Sequence, residues 1–144
     1  MKQDEKKKIK NYLRGYERAE ERIRQIEADI DYINQTLDSM PQLFDGMPRG
    51  NNIYDRAAQE GQKLWGLSIE LSEKRCEAIE KRKEIAEKIR QVPNAKYMRL
   101  LYSRYIELKP WAEIALDMHR DPRHIFEMHN IALEEIKKIL EIHI

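Results

Sequence analysis

Over residues 9–40, apolar side chains return on a seven-residue beat. One register runs Ile9, Tyr16, Ile23, Ile30 and Leu37, and the other runs Tyr12, Ala19, Ile26, Ile33 and Met40. Placed at a and d of a heptad, the two sets share one stripe of a helix, with Glu, Arg, Lys, Asp and Gln between them. Gly15 is the weak helix former inside the run and costs about 1 kcal/mol relative to Ala. The spacing predicts a helix of coiled-coil grade, about 50 Å long at about 1.5 Å per residue. It stops at Ser39-Met40-Pro41, because a proline biases the residue before it away from helical geometry.

Turn formers crowd the segment Asp45-Gly46-Met47-Pro48-Arg49-Gly50-Asn51-Asn52, so residues 41–54 read as a loop. A second helix is expected over 55–91. Its apolar positions include Leu64, Leu67, Leu71, Ala78, Ile85, Ile89 and Val92, with Trp65, Ile69, Cys76, Ile79 and Ala86 beside them. That stripe is broader than the first, and Gly61 and Gly66 weaken its opening turns. Two helices of similar length joined by one loop predict an antiparallel hairpin over 1–92. The alternative is a homodimer through the long helices, since the stripe of 9–40 is regular enough to pair with a copy of itself.

Val92-Pro93-Asn94 interrupts the pattern, and Asn94 is suited to cap a new helix. Leu100, Leu101, Tyr105 and Ile106 then mark one apolar face. Pro110 suits a first helical position, and Trp111, Ile114, Ala115 and Met118 follow at i, i+3, i+4, i+7, which buries one face of a short helix. Asp121 is an N-cap with Pro122 at the first helical position. In the last helix Ile125, Met128, Ala132, Leu133, Ile136 and Leu140 form the inner face, while Arg123, His124, Phe126, Glu127 and Asn130 open the outer one. Three short helices of this spacing make a tripod over 93–144. The fold class is therefore all-α: a long helical hairpin followed by a three-helix helix-turn-helix.

Composition narrows the functional classes. The chain has 144 residues, 37% of them charged, with five Gly and five Pro, a balance that favours solvated helices over sheet. Its net charge of +1 gives no overall pull toward nucleic acid. Cys76 is the lone cysteine, so no internal disulfide framework exists and a reducing compartment is expected. No apolar run approaches the roughly 20 residues of a membrane span. The lysine-rich start lacks the apolar core of a secretory signal. A cytoplasmic protein that does not enter a membrane is the expectation.

Arg104-Tyr105, Trp111-Ala112-Glu113-Ile114-Ala115 and Ala132-Leu133 resemble the helix-turn-helix that ends bacterial sigma factors. Taken with the long helices and the Asp45-Gly46-Met47-Pro48-Arg49-Gly50 loop, the whole chain resembles small phage and prophage late-transcription regulators of the RinA, ArpU and LtrC kind. The resemblance implies a DNA-binding activator of phage late or packaging genes that binds double-stranded DNA and works with host RNA polymerase in the bacterial cytoplasm. By the same resemblance, residues 122–133 correspond to the promoter-reading helix. Arg123, Phe126, Glu127 and Asn130 take the base-facing slots, with His124 on the same outer face. Arg120, Arg99 and Arg104 take the phosphate contacts.

Three departures accompany the resemblance. His119 stands at a turn where such motifs often carry Gly, so a left-handed backbone there carries strain. Phe126 and Glu127 replace the more usual Arg and Gln or Tyr; a Glu accepts from a cytosine amino group but repels phosphate. From Asn94 onward, eight basic residues meet eight acidic ones, a weak electrostatic footprint for DNA.

Other chemistry finds little footing. His119, His124, His129 and His143 have no Cys or carboxylate at ligand spacing and no i, i+4 pair, so no metal is expected. Cys76 has no neighbouring base to activate it. The Gly46–Gly50 stretch lacks the preceding strand and the following Lys-Ser/Thr of a phosphate loop, and reads as a connector with Arg49 as a contact. The run Lys6, Lys7, Lys8, Lys10 and Arg14 reads as a solvated helix end, with nucleic acid as its alternative partner. With no nucleophile, acid/base pair or metal cluster, neither an enzyme nor a cofactor is expected. The competing reading is a helical protein-interaction module whose helix-turn-helix binds a protein partner instead of DNA.

Overall fold

The computed structural model describes residues 2–40 and 52–143, and the secondary structure among them is entirely helical. In chain order the helices are α1 (Gln3–Leu13), α2 (Gly15–Ser39), α3 (Asn52–Arg90), α4 (Ala95–Tyr105), α5 (Trp111–Asp117) and α6 (Pro122–His143). The heptad stripe thus spans two helices, with Arg14 between them. The Arg14 N–H donates to the Lys10 carbonyl at 2.9 Å and its own carbonyl accepts from the Arg18 N–H at 3.0 Å, so the hydrogen-bond ladder runs through the break. Helix begins at Gln3 instead of residue 9, because the polar first turn carries Asp4 and Glu5, which suit a helix N-terminus. It ends at Ser39, as Pro41 requires.

Within the expected 41–54 loop, residues 41–51 lie outside the described residues, as do the Asp45–Gly50 motif and Arg49. α3 opens at Asn52, three residues before the expected start. Gly61 and Gly66 sit on its open surface: a Cβ at either would meet nothing within 4 Å. Their cost is therefore a matter of backbone entropy alone, too small to break a 39-residue helix.

Packing divides the chain into two units: Met1–Ala19 with Ala78–Ile144, and Glu20–Glu77. The first holds one continuous apolar core. Ile9 and Leu13 of α1, Ile85, Ala86, Ile89 and Val92 of the α3 end, and the inner faces of α4, α5 and α6 all contribute. On α6 the buried residues are Ile125, Met128, Ala132, Leu133, Ile136 and Leu140, spaced three or four apart along one face. Leu13 is fully buried although it lies off the a/d stripe. Gly15 packs closely, where an added Cβ would meet Ile85 Cδ1 at 3.5 Å and Lys81 Cδ at 3.6 Å.

The second unit is thinner. Ile23, Ile26 and Ile33 of α2 are buried, while Leu64, Leu67 and Leu71 of α3 are only half-buried. Arg22 pairs with Glu70 and Arg75 approaches Glu27 at 3.9 Å, both at the surface. No helix among the described residues is long and apolar enough to cross a membrane.

Candidate nucleic-acid interface

The tripod begins with a cap and proceeds through two strained turns. Asn94 Oδ1 accepts from the Lys96 N–H at 3.0 Å and so starts α4 immediately after the Pro93 break. Leu100, Leu101, Tyr105 and Ile106 are all buried, as their spacing requires. α4 then ends through Leu108, whose φ of 56° is left-handed. Pro110 precedes α5 at the cap position, one residue before the first helical position expected for it, and leaves Trp111 to open the helix.

Between α5 and α6 the chain makes a Schellman turn. The Arg120 N–H donates to the Ala115 carbonyl at 3.0 Å, and the His119 N–H donates to the Leu116 carbonyl at 3.2 Å. This geometry needs a left-handed residue after the cap, and His119 supplies it with a φ of 53°. An L residue there stores about 1 kcal/mol of strain that Gly would not. Asp121 then accepts from the Arg123 N–H through Oδ1 at 3.3 Å, its carbonyl accepts from the Ile125 N–H at 3.1 Å, and Pro122 opens α6. The Schellman turn and the Asp121 cap set the direction in which α6 leaves α5.

On α6, Arg123, Glu127 and Asn130 share one exposed face opposite Ile125, Met128 and Ala132, with His124 and Phe126 at its flanks. His124 Nδ1 stands 3.9 Å from Glu127 Oε2, so protonated His124 partly offsets the acidic side chain. Arg120 at the turn and Arg99 on α4 are exposed. Among the described residues, no carboxylate pairs with Arg99, Arg120 or Arg123.

Two expected contacts have internal engagements. The Arg104 guanidinium lies 4.6 Å over the Trp111 ring and donates to the Lys109 carbonyl at 3.1 Å, which ties the end of α4 to the start of α5. Phe126 is 48% exposed, with its ring 5.4 Å from Trp111. Both therefore help position Trp111.

His129 is the residue that sequence reasoning weighed only as a metal ligand and otherwise missed. It is buried, its Nε2 lies 2.7 Å from the Tyr105 hydroxyl, and the Trp111 ring meets it edge-on at 4.7 Å. Burial, reinforced by the positive charges of Lys10, Lys6, Arg104 and Arg14, pushes its pKa down to about 3, so the ring is neutral at ordinary pH. Burial likewise pushes the Tyr105 phenol up to about 12 and keeps its proton on. The pair is a neutral hydrogen bond locking α4 to α6. Its position on the apolar side of α6, between Met128 and Ala132, was the available signal.

Among the described residues, no three His, Cys, Asp or Glu side chains stand close enough together to hold a metal ion. Cys76 is exposed. The tripod presents exposed polar side chains from one helix surface, braced by a neutral aromatic cluster beneath it. Compared with family models, curated proteins and solved structures, the chain matches none, so its site is read from its own geometry.

Proposed function

We propose that this chain is a DNA-binding transcription regulator whose α4–α6 segment is a helix-turn-helix with α6 as the reading helix. The observation that carries the reading is the exposed face of Arg123, Glu127 and Asn130 on the opening turns of α6, held by the His119 Schellman turn from α5. In such motifs the N-terminal residues of the second helix meet base edges in the major groove. Arg123 is the specific donor, bidentate to a guanine, and Asn130 suits adenine. Glu127 accepts from a cytosine amino group. Arg99 and Arg120 contact phosphate, as does whatever part of Arg104 Trp111 leaves open.

In this reading α2 and α3 form an antiparallel hairpin. In residues 20–77, Arg22 stands against Glu70, and Ile33 lines one depression with Glu60 and Lys63, the order that antiparallel helices require. The hairpin presents a surface to host RNA polymerase or to a second copy. The setting is late-gene activation in a phage or prophage, and that part rests on the resemblance of the sequence.

Selection of bound duplexes from a random pool, followed by fluorescence anisotropy on the enriched sequence, tests the proposal. Arg123→Ala should weaken the enriched site about 10- to 100-fold, the worth of one bidentate base contact at about 1–3 kcal/mol, and leave random duplex nearly unchanged. Equal binding of all sequences, indifferent to that substitution, would sink it.

A second reading is favoured by one specific feature. Trp65 is 71% exposed on α3, and Ile69, one turn on, is 46% exposed, a combination suited to a protein partner. Purified RNA polymerase retained on the immobilised chain after nuclease treatment, and lost with Trp65→Ala, would support that reading. Retention that disappears on nuclease treatment would count against it.

A further inference from the structure

The tripod lacks the charge to hold a polyanion. Its basic and acidic residues balance, and Lys109, Lys137 and Lys138 are each tied to carboxylates. The excess charge of this packing unit lies elsewhere. Residues 2–18 carry seven basic and three acidic side chains. Of the acids, Glu5 is bound to Lys137 at 2.7 Å and Glu17 stands 3.9 Å from Arg14. Among the described residues, Lys6, Lys7, Lys8 and Lys10 have no carboxylate partner.

Helical spacing sorts these charges. Ile9 and Leu13 point into the core. Lys7, Asn11, Arg14 and Arg18 lie on the opposite side at i, i+4, i+7 and i+11, and they line one shallow depression with Lys8 and Lys10. Arg18 is anchored to Asn11, through its side chain at 2.9 Å and its carbonyl at 2.6 Å, and Arg14 stands 3.9 Å from Glu17 at the surface, which leaves Lys7, Lys8 and Lys10 as the cations of the depression without a carboxylate among the described residues. Lys6 and Lys10 take the side of α1 between this depression and the core. α1 lies against α6 within the same packing unit: Glu5 binds Lys137 at 2.7 Å, and Glu5, Lys8, Ile9 and Tyr12 line one depression with Lys137, Leu140 and Glu141. The cations of α1 also crowd one another: partial burial, then Lys6 and Arg14, hold the Lys10 ammonium below its usual pKa. An anion would relieve that repulsion.

We infer that α1 is a further phosphate-contacting surface of this protein and its main source of affinity: Lys6, Lys7, Lys10 and Arg14 seat the sugar-phosphate backbone of the duplex DNA that α6 reads. The inference rests on the DNA-binding reading and divides its labour, with α1 supplying affinity and α6 supplying sequence preference. The dimensions agree. Residues 6–14 span about 12 Å along the helix. That length of duplex carries three to four phosphates per strand, at about 3.4 Å each, against four cations.

The test is the salt dependence of binding by the full chain, with a random-sequence duplex and the enriched duplex as probes. Lys6→Gln/Lys7→Gln/Lys10→Gln should lower the slope of log affinity against log salt by about 2.7, three contacts at about 0.9 each. Lys7→Gln alone, at an exposed position where folding is not at stake, should lower it by about 0.9. Both variants should weaken the two probes by the same factor, whereas Arg123→Ala weakens only the enriched one. Lys83→Gln on α3 should leave the slope unchanged. If the wild-type chain binds duplex and the α1 variants keep its slope and affinity, the inference is overturned and the DNA reading stands. If the wild-type chain binds no duplex, the reading fails and the inference with it.

Discussion

The two packing units are built from the same material, charged amphipathic helix, and come out differently. In Met1–Ala19 with Ala78–Ile144, five helical segments converge, and α6 alone buries six apolar side chains in the shared core. In Glu20–Glu77, two helical segments meet, and each can bury only one stripe. Tyr32, Trp65 and Ile69 consequently remain exposed. Burial depends on how many neighbours surround a stripe as much as on how regular it is. The most regular heptad pattern of the chain, Ile23 to Ile33, ends in the thinner unit. The irregular α3 end and the short helices build the thicker one.

Core truncation is the strongest way to break this contrast. Leu133→Ala, in the shared core, should cost about 3–5 kcal/mol by urea denaturation. Ile33→Ala, under a thinner seam that can collapse, should cost about 2 kcal/mol. Equal costs would mean that residues 20–77 are as well packed as the remainder. Hydrogen exchange should agree, with slower exchange in α6 than in the 20–39 part of α2.

Acid should separate the units next. The His129 pKa is pushed down to about 3 in the folded chain against an ordinary 6.5, so the unfolded chain binds more protons between those values. The stabilisation is complete above about pH 6.5 and is lost as pH falls toward 3, at about 1.4 kcal/mol per pH unit. Moving from pH 7 to pH 5 should therefore cost about 2 kcal/mol. His129→Gln should remove most of that dependence; a wild-type stability flat over the interval would contradict the buried neutral ring.

Backbone substitutions should give the smallest effects, with opposite origins in the two units. His119→Gly relieves a left-handed residue and should add about 1 kcal/mol by thermal melting. Gly66→Ala, which has open space for its Cβ, should add about 0.8 kcal/mol through backbone entropy. A loss at His119→Gly would show that its side chain, and not only its backbone, holds the turn.

Much of the tripod was legible because its signals are local. Asn94 and Asp121 cap because their side chains reach an N–H two residues on, and Ser39 ends α2 because Pro41 follows. Each of the six inner positions of α6 is buried, and Arg123, His124, Glu127 and Asn130 are exposed, because one period of 3.6 sorts them. His119 could be identified as strained from its place in the turn. Leu108 could not, since nothing in its neighbours demands a left-handed backbone there.

The sequence by itself determined which residues share a face, the helix ends marked by Asn94, Asp121 and Pro41, and that the secondary structure of the described residues is helical. These follow from hydrogen-bond reach and helical period, which act within a few residues. Only the tertiary structure decided what covers each face. It put Leu13 in the core although it lies off the heptad stripe, set Tyr105 against His129 across 24 residues, and turned Arg104 onto Trp111. It also set α1 against α6, where Glu5 meets Lys137 across 132 residues. A periodic pattern states that a face must be buried; the partner that buries it is chosen by the whole chain.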